Sequence, residues 1–188
     1  LKYASPVLAA SVQADGRLTL DLVRLDVPLD EAADETARGD LRYHIDEFRT
    51  ELIGPIGRLV QVAGGEATTI DQTLGPVAVT LRDGVFYIPE HHLKYTEAVR
   101  LAFGGRIGLD KQMKVTVGVP VTRALMTQYK VSERVMPYLE DVVLAVPLEG
   151  TLDDPRIDKR ALGKQLGQLA AEAIKREALK HLGDWLKR

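Results

Sequence analysis

The sequence predicts an α+β fold: a curved antiparallel β-sheet of many short strands, its apolar face covered by helices that include a long C-terminal one. Three observations lead there. Most of the chain alternates apolar and polar residues with period two, the spacing that sorts side chains to opposite faces of a sheet. Asp-Gly and Gly-Gly pairs punctuate those runs as hairpin turns do. From Asp158 to about Lys187 there is no proline, and Ala, Leu, Lys, Glu and Gln dominate, as in a continuous helix.

The strands come first. Leu18, Leu20 and Leu22 alternate with Thr19, Asp21 and Val23, and Val77, Val79 and Leu81 with Ala78, Thr80 and Arg82. Val99, Leu101 and Phe103 alternate with Ala98, Arg100 and Ala102. Met113, Val115, Val117 and Val119 alternate with Lys114, Thr116 and Gly118. One apolar and one polar or small face is the mark of antiparallel sheet. Asp15-Gly16 and Asp83-Gly84 read as hairpin turns, and Gly104-Gly105 and Gly108 to Asp110 as breaks in a meander. Val142 to Leu148 is apolar on both faces, a better buried strand, with Pro147 pointing to an edge or bulge.

Two helical regions interrupt the strands. Glu51 to Val62 has Leu52, Ile53, Ile56, Leu59 and Val60 at helical spacing, Thr50 as N-cap and Gly64-Gly65 as its stop. Ser132 to Asp141 is a shorter helix compromised by Pro137. In the last helix, Leu162, Leu166, Leu169 and Ala173 form a stripe that drifts from Ile174 through Ala178 and Leu182 to Trp185 and Leu186. Straight, it would be about 40 Å long, enough to cross most of the sheet. The 188 residues form a single domain, with a β-rich body at 1–157 and the amphipathic helix at 158–187.

Composition narrows the function. Twenty-five Lys and Arg against 27 Asp and Glu leave a formal charge of −2, which argues against wrapping nucleic acid. With no Cys, disulfides, thiolate metal sites and thiol nucleophiles are excluded. No apolar run approaches the roughly 20 residues of a membrane span. Because it opens on Leu1 and an apolar stretch to Ala10, the chain reads as a piece of a longer polypeptide, any anchor or export signal lying upstream.

The candidate chemistry is sparse, and no cofactor is implied. Glu90-His91-His92 is the one metal-like cluster, but in a strand His91 and His92 point to opposite faces, and His44 and His181 are distant. Gly104, Gly105 and Gly108 lack the Lys-Ser/Thr ending of a phosphate loop. Ser5, Ser11 and Ser132 form no nucleophile elbow. Asp153, Asp154 and Asp158 do not match a calcium loop, and Asp158 reads as a helix N-cap. The basic residues Lys159, Arg160, Lys164, Lys175, Arg176, Lys180, Lys187 and Arg188 leave two readings of the last helix: core cover, which is preferred, or adsorption to an anionic membrane. Burial of Trp185 separates the two.

The run Val146-Pro147-Leu148-Glu149-Gly150-Thr151-Leu152-Asp153-Asp154-Pro155-Arg156-Ile157-Asp158 resembles a signature near the C-termini of AsmA-like and translocation-and-assembly-module-like envelope proteins of diderm bacteria. Ala14-Asp15-Gly16-Arg17-Leu18-Thr19-Leu20, and Gly105 to Asp110 with the strand that follows, are similar to their repeated strands. The resemblance spans residues 1–162, and only Gly150 to Asp158 is specific. It implies a periplasmic module of a membrane-anchored parent, non-enzymatic and engaged in lipid transport or outer-membrane assembly. Phospholipid or fatty acid would be the ligand, with no catalytic residues to carry over. The expected apolar contacts are Leu101, Phe103, Val115, Val117 and Trp185. The alternative is a structural domain capping a longer β-structure, with no ligand of its own. A metal enzyme would need His91, His92, Glu90 and His44 to converge.

Overall fold

The computed structural model describes residues 14–28, 33–51, 54–66, 69–97, 99–139 and 141–186. Eight strands form one antiparallel sheet in sequence order, each paired with its neighbours in the chain. They are β1 (Ala14–Asp26), β2 (Arg38–Glu51), β3 (Thr69–Arg82), β4 (Val85–Lys94), β5 (Arg100–Gly108), β6 (Gln112–Pro120), β7 (Val143–Thr151) and β8 (Pro155–Ile157). Among the described residues the sheet does not close, and β1 and β8 are its two edges. A single turn, α1 (Ala33–Thr36), lies between β1 and β2, and α2 (Gly54–Val62) between β2 and β3. After β6 come α3 (Arg123–Gln128) and a 3₁₀ turn at Glu133–Tyr138, and α4 (Lys159–Leu186) ends the chain.

Alternation decides which face is dry. Tyr43 and Ile45 on β2, Val77 and Val79 on β3, Leu101 and Phe103 on β5, Val115 and Val117 on β6, and Leu144 and Val146 on β7 all lie in one buried cluster. Ile56, Leu59 and Val60 of α2 join it, with Leu125 and Met126 of α3, and Leu162, Leu166, Ala170 and Ala173 of α4. The intervening residues, among them Arg42, Ala78, Arg106, Lys114 and Ala145, are exposed on the other face.

Several turns follow the expected chemistry. Asp83 and Gly84 both have positive φ, 48° and 72°, and join Arg82 directly to Val85 across the hairpin, as a two-residue turn requires. Gly64 closes α2 with φ +85°, and Gly65 N–H donates to Val60 O at 2.8 Å. Asp158 caps α4, its Oδ1 accepting from Arg160 N at 2.9 Å and Ala161 N at 3.0 Å.

Other expectations are corrected. Asp15-Gly16 is no hairpin turn: both residues lie in β1, and the register shifts between Asp15 and Arg17 because β2 has an extra residue there, Glu47 and Phe48 facing the single Gly16. Thr50 does not cap α2, since it pairs with Ile70 inside β2. Gly104-Gly105 lies within β5, opposite Thr116 and Val115 of β6. Ser132 to Asp141 holds a 3₁₀ turn with Pro137 inside it, the tighter form that suits a short, proline-bearing segment. The long helix meets the sheet chiefly at β7, along with the 3₁₀ turn, where Gln165 Nε2 donates to Ala145 O at 2.7 Å. Leu1 to Ala10 lies outside the described residues.

Candidate functional site

Three places carry chemistry beyond the core. The first is the β1 edge of the apolar face. Leu18, Leu20, Leu22 and Leu25 stand opposite Ile45, Tyr43, Leu41 and Gly39 of β2, which places them on the same face as the core. Yet Leu20, Leu22 and Leu25 are 48%, 54% and 52% exposed. The apolar face therefore continues one strand past the buried region. The other face of β1 is charged, and its register is matched to β2: Asp15 opposite Arg49, Arg17 opposite Asp46, Asp21 opposite Arg42, Arg24 opposite Asp40, Asp26 opposite Arg38. Opposite charges facing across a ladder favour one register over a slip.

The second place is a shallow trough of about 690 Å³ on the solvent face of β4 to β7. Ala102, Gly104, Thr116, Gly118 and Ala145 are among its small floor residues, and Glu90, His92 and Arg100 stand at its rim. Small side chains leave the depression, and the rim mixes charge of both signs. His92 Nε2 lies 3.8 Å from Glu90 Oε1.

The third place lies beneath the sheet. His91 and His92 do point to opposite faces, because His91 pairs with Phe103 and His92 with Ala102. The His91 ring sits 6.0 Å from that of Phe103, and Tyr95 approaches the same ring at 6.4 Å. His91 Nδ1 lies 3.2 Å from Pro89 O, so the neutral ring carries its proton on Nδ1 and leaves Nε2 as an acceptor. Nε2 is buried without a partner, as are Tyr95 Oη and Gln72 Nε2. Burial holds the His91 imidazole below its ordinary value, helped by the adjacent His92 and opposed by the Pro89 carbonyl. Burial likewise raises the Tyr95 phenol, which stays protonated.

The expected site residues do not all meet. Leu101, Phe103 and Val117 are fully buried, and Val115 is 2% exposed, so the four sit inside the core, and the exposed apolar surface of their face is on β1. Trp185 lies in α4, and its side chain falls outside the described residues. His44 is 3.4 Å from Asp46 on β2, and among the described residues no three His, Asp or Glu side chains group as metal ligands.

The signature segment has a structural account. Gly150, next to last in β7, has φ +101°, and a Cβ there would lie 2.7 Å from Asp154 O. Thr151 Oγ1 accepts from Asp154 N at 3.1 Å, closing the turn. Leu152 N–H donates to Lys111 O at 3.0 Å, and Lys111 Nζ meets Asp153 at 3.0 Å, which pins that turn to the β5–β6 loop. Pro155 opens β8 and Asp158 caps α4, so the segment reverses the chain and launches the helix. Compared with family models, with curated proteins and with solved structures, the chain finds no match.

Proposed function

We propose that this chain is a non-enzymatic lipid-handling module of a larger AsmA-like envelope protein, working in the periplasm and offering the apolar face of a curved sheet to acyl chains. The observation that supports it is the run of Leu20, Leu22 and Leu25, half exposed on the face that is elsewhere buried. An acyl chain lying along β1 would cover those side chains by nonpolar contact alone, which needs no catalytic group. Leu18, already packed against the core, would form the inner wall.

A second reading has its own support. Leu101, Phe103, Val115 and Val117 are sealed, as expected of a cap that terminates a longer β-structure and holds no ligand. In that case a strand of the parent chain, rather than a lipid, covers β1.

Native mass spectrometry of the purified chain, followed by organic extraction, separates the two. The lipid-handling reading expects a co-purifying fatty acid or phospholipid, and uptake of a fluorescent fatty acid by the delipidated chain. The double variant Leu20→Lys, Leu22→Lys should lose that uptake without losing its melting transition. A clean apo mass with no uptake rejects lipid handling and leaves the cap.

A further inference from the structure

We propose that the second half of α4, from Ile174 onward, is a docking helix for an anionic membrane surface. The starting point is a change of face along one continuous helix. Leu162, Leu166, Ala170 and Ala173 are buried, at 8% exposure or less, and face the core. One residue later the pattern inverts: Ile174 is 53% and Leu179 59% exposed, and Ala178 between them is exposed too.

The sequence register explains why. At about 100° per residue, Ile174, Ala178 and Leu179 fall on an arc centred roughly 160° from the first stripe, and so do the positions of Leu182, Trp185 and Leu186. The two stripes lie on opposite sides of the rod, and no single surface can receive both. The domain's own core takes the first. The second must find a different environment.

Two features select a membrane surface over a protein partner. The first is charge. From Ile174 to Arg188 the sequence has five Lys or Arg and two Asp or Glu, in a chain whose formal charge is −2. Lys175 and Arg176, both exposed, lie within the apolar arc and on its flank, where positive charge complements anionic lipid headgroups. The second is width. The apolar arc spans roughly 140°, wider than the narrow seam of a coiled coil, and Lys175 falls within it. A lysine there would break a helix–helix seam, whereas at a bilayer its stem lies along the apolar surface with the ammonium among the phosphates. Among the described residues no helix is long and apolar enough to cross a membrane, so the segment would lie on the surface. The inference is independent of acyl-chain binding at β1.

Trp185 is the chain's single tryptophan, which makes it an internal reporter. The full chain would be titrated with vesicles of phosphatidylcholine alone and of phosphatidylcholine mixed with phosphatidylglycerol. Tryptophan emission and co-sedimentation would be followed together. Expected are a blue shift and co-sedimentation with the anionic vesicles only, both weakened by added salt. Lys175→Glu with Arg176→Glu should cost about fivefold in partitioning per charge. Ile174→Asp with Leu179→Asp should lower it about tenfold or more, with the melting temperature and fatty-acid uptake unchanged because neither residue is in the core. Absence of fatty-acid uptake by the native chain, with vesicle binding retained, would reject the β1 reading and leave this one standing. Equal binding to both vesicle types, or none, overturns the proposal. So does a concentration-dependent dimer that Ile174→Asp dissolves, since the face would then be filled by a second copy.

Discussion

The surroundings of His91 disfavour its charged form. Its Nε2 is buried without a donor, and the proton that would charge it has no acceptor to meet. The folded-state value lies below the ordinary 6.5, so at acid pH the unfolded chain binds a proton that the folded chain refuses. Its contribution to stability is complete above about 6.5, declines as pH falls below it, and is lost as pH passes the folded-state value. A melting curve should therefore drop between pH about 7.5 and 5 by more in the native chain than in His91→Phe. Equal drops would remove His91 from the account. A second residue-scale expectation concerns Gly150, whose φ is +101° with Asp154 O 2.7 Å from where a Cβ would stand. Gly150→Ala should cost about 1–3 kcal/mol in a denaturant titration, while Gly167→Ala, with open space around it, should be neutral or stabilising by up to about 1 kcal/mol.

Among the elements, α4 is the one whose halves make opposite predictions. Leu166→Ala empties a fully buried site and should cost about 2–4 kcal/mol. Leu179→Ala, on the exposed side, should change stability by no more than about 0.5 kcal/mol. Chemical denaturation of the two variants tests the division directly. The long helix, its Asp158 cap and the Asp83-Gly84 hairpin were legible in the sequence because each is a local device. The drift of the apolar stripe was legible too, but not its meaning, since only the packed core shows that Ile174, Ala178 and Leu179 stand outside it. Strand β2 was missed although it obeys the rule: Leu41, Tyr43 and Ile45 point inward between Asp40, Arg42, His44 and Asp46. Its charged positions outweigh its apolar ones, and the charges make sense only once the neighbouring strands are in place, with Arg49 meeting Asp71, Arg38 meeting Asp83 and opposite charges facing them from β1. Asp15-Gly16, which faces a bulge in β2, misled for a related reason. Asp-Gly permits a turn, but whether the chain reverses or merely shifts register depends on the strand beside it. Of the candidate site, the opposite facing of His91 and His92 followed from strand geometry. The exposed leucines of β1 did not follow, because exposure is a property of where the sheet ends.

At the scale of the whole molecule, the two sheet edges differ. Strand β8 has three residues and leads straight into α4, whereas β1 has thirteen, pairs on one side only among the described residues, and carries half-exposed leucines on its apolar face. A long apolar edge invites pairing with another strand, and charge on that edge should discourage it. Leu20→Lys with Leu22→Lys is therefore expected to reduce concentration-dependent association of the chain, as read by sedimentation velocity. An unchanged sedimentation profile would show that β1 is not the associating surface. The uncrossed order of the strands has a consequence for synthesis and for dissection. Because each strand needs only the one before it, strands can join the sheet as they leave the ribosome, with no segment held waiting for a distant partner. The same order makes the sheet severable at its first ladder. A chain beginning at residue 33 would lose β1 and its charged register with β2, yet keep every other pairing, and should still melt cooperatively.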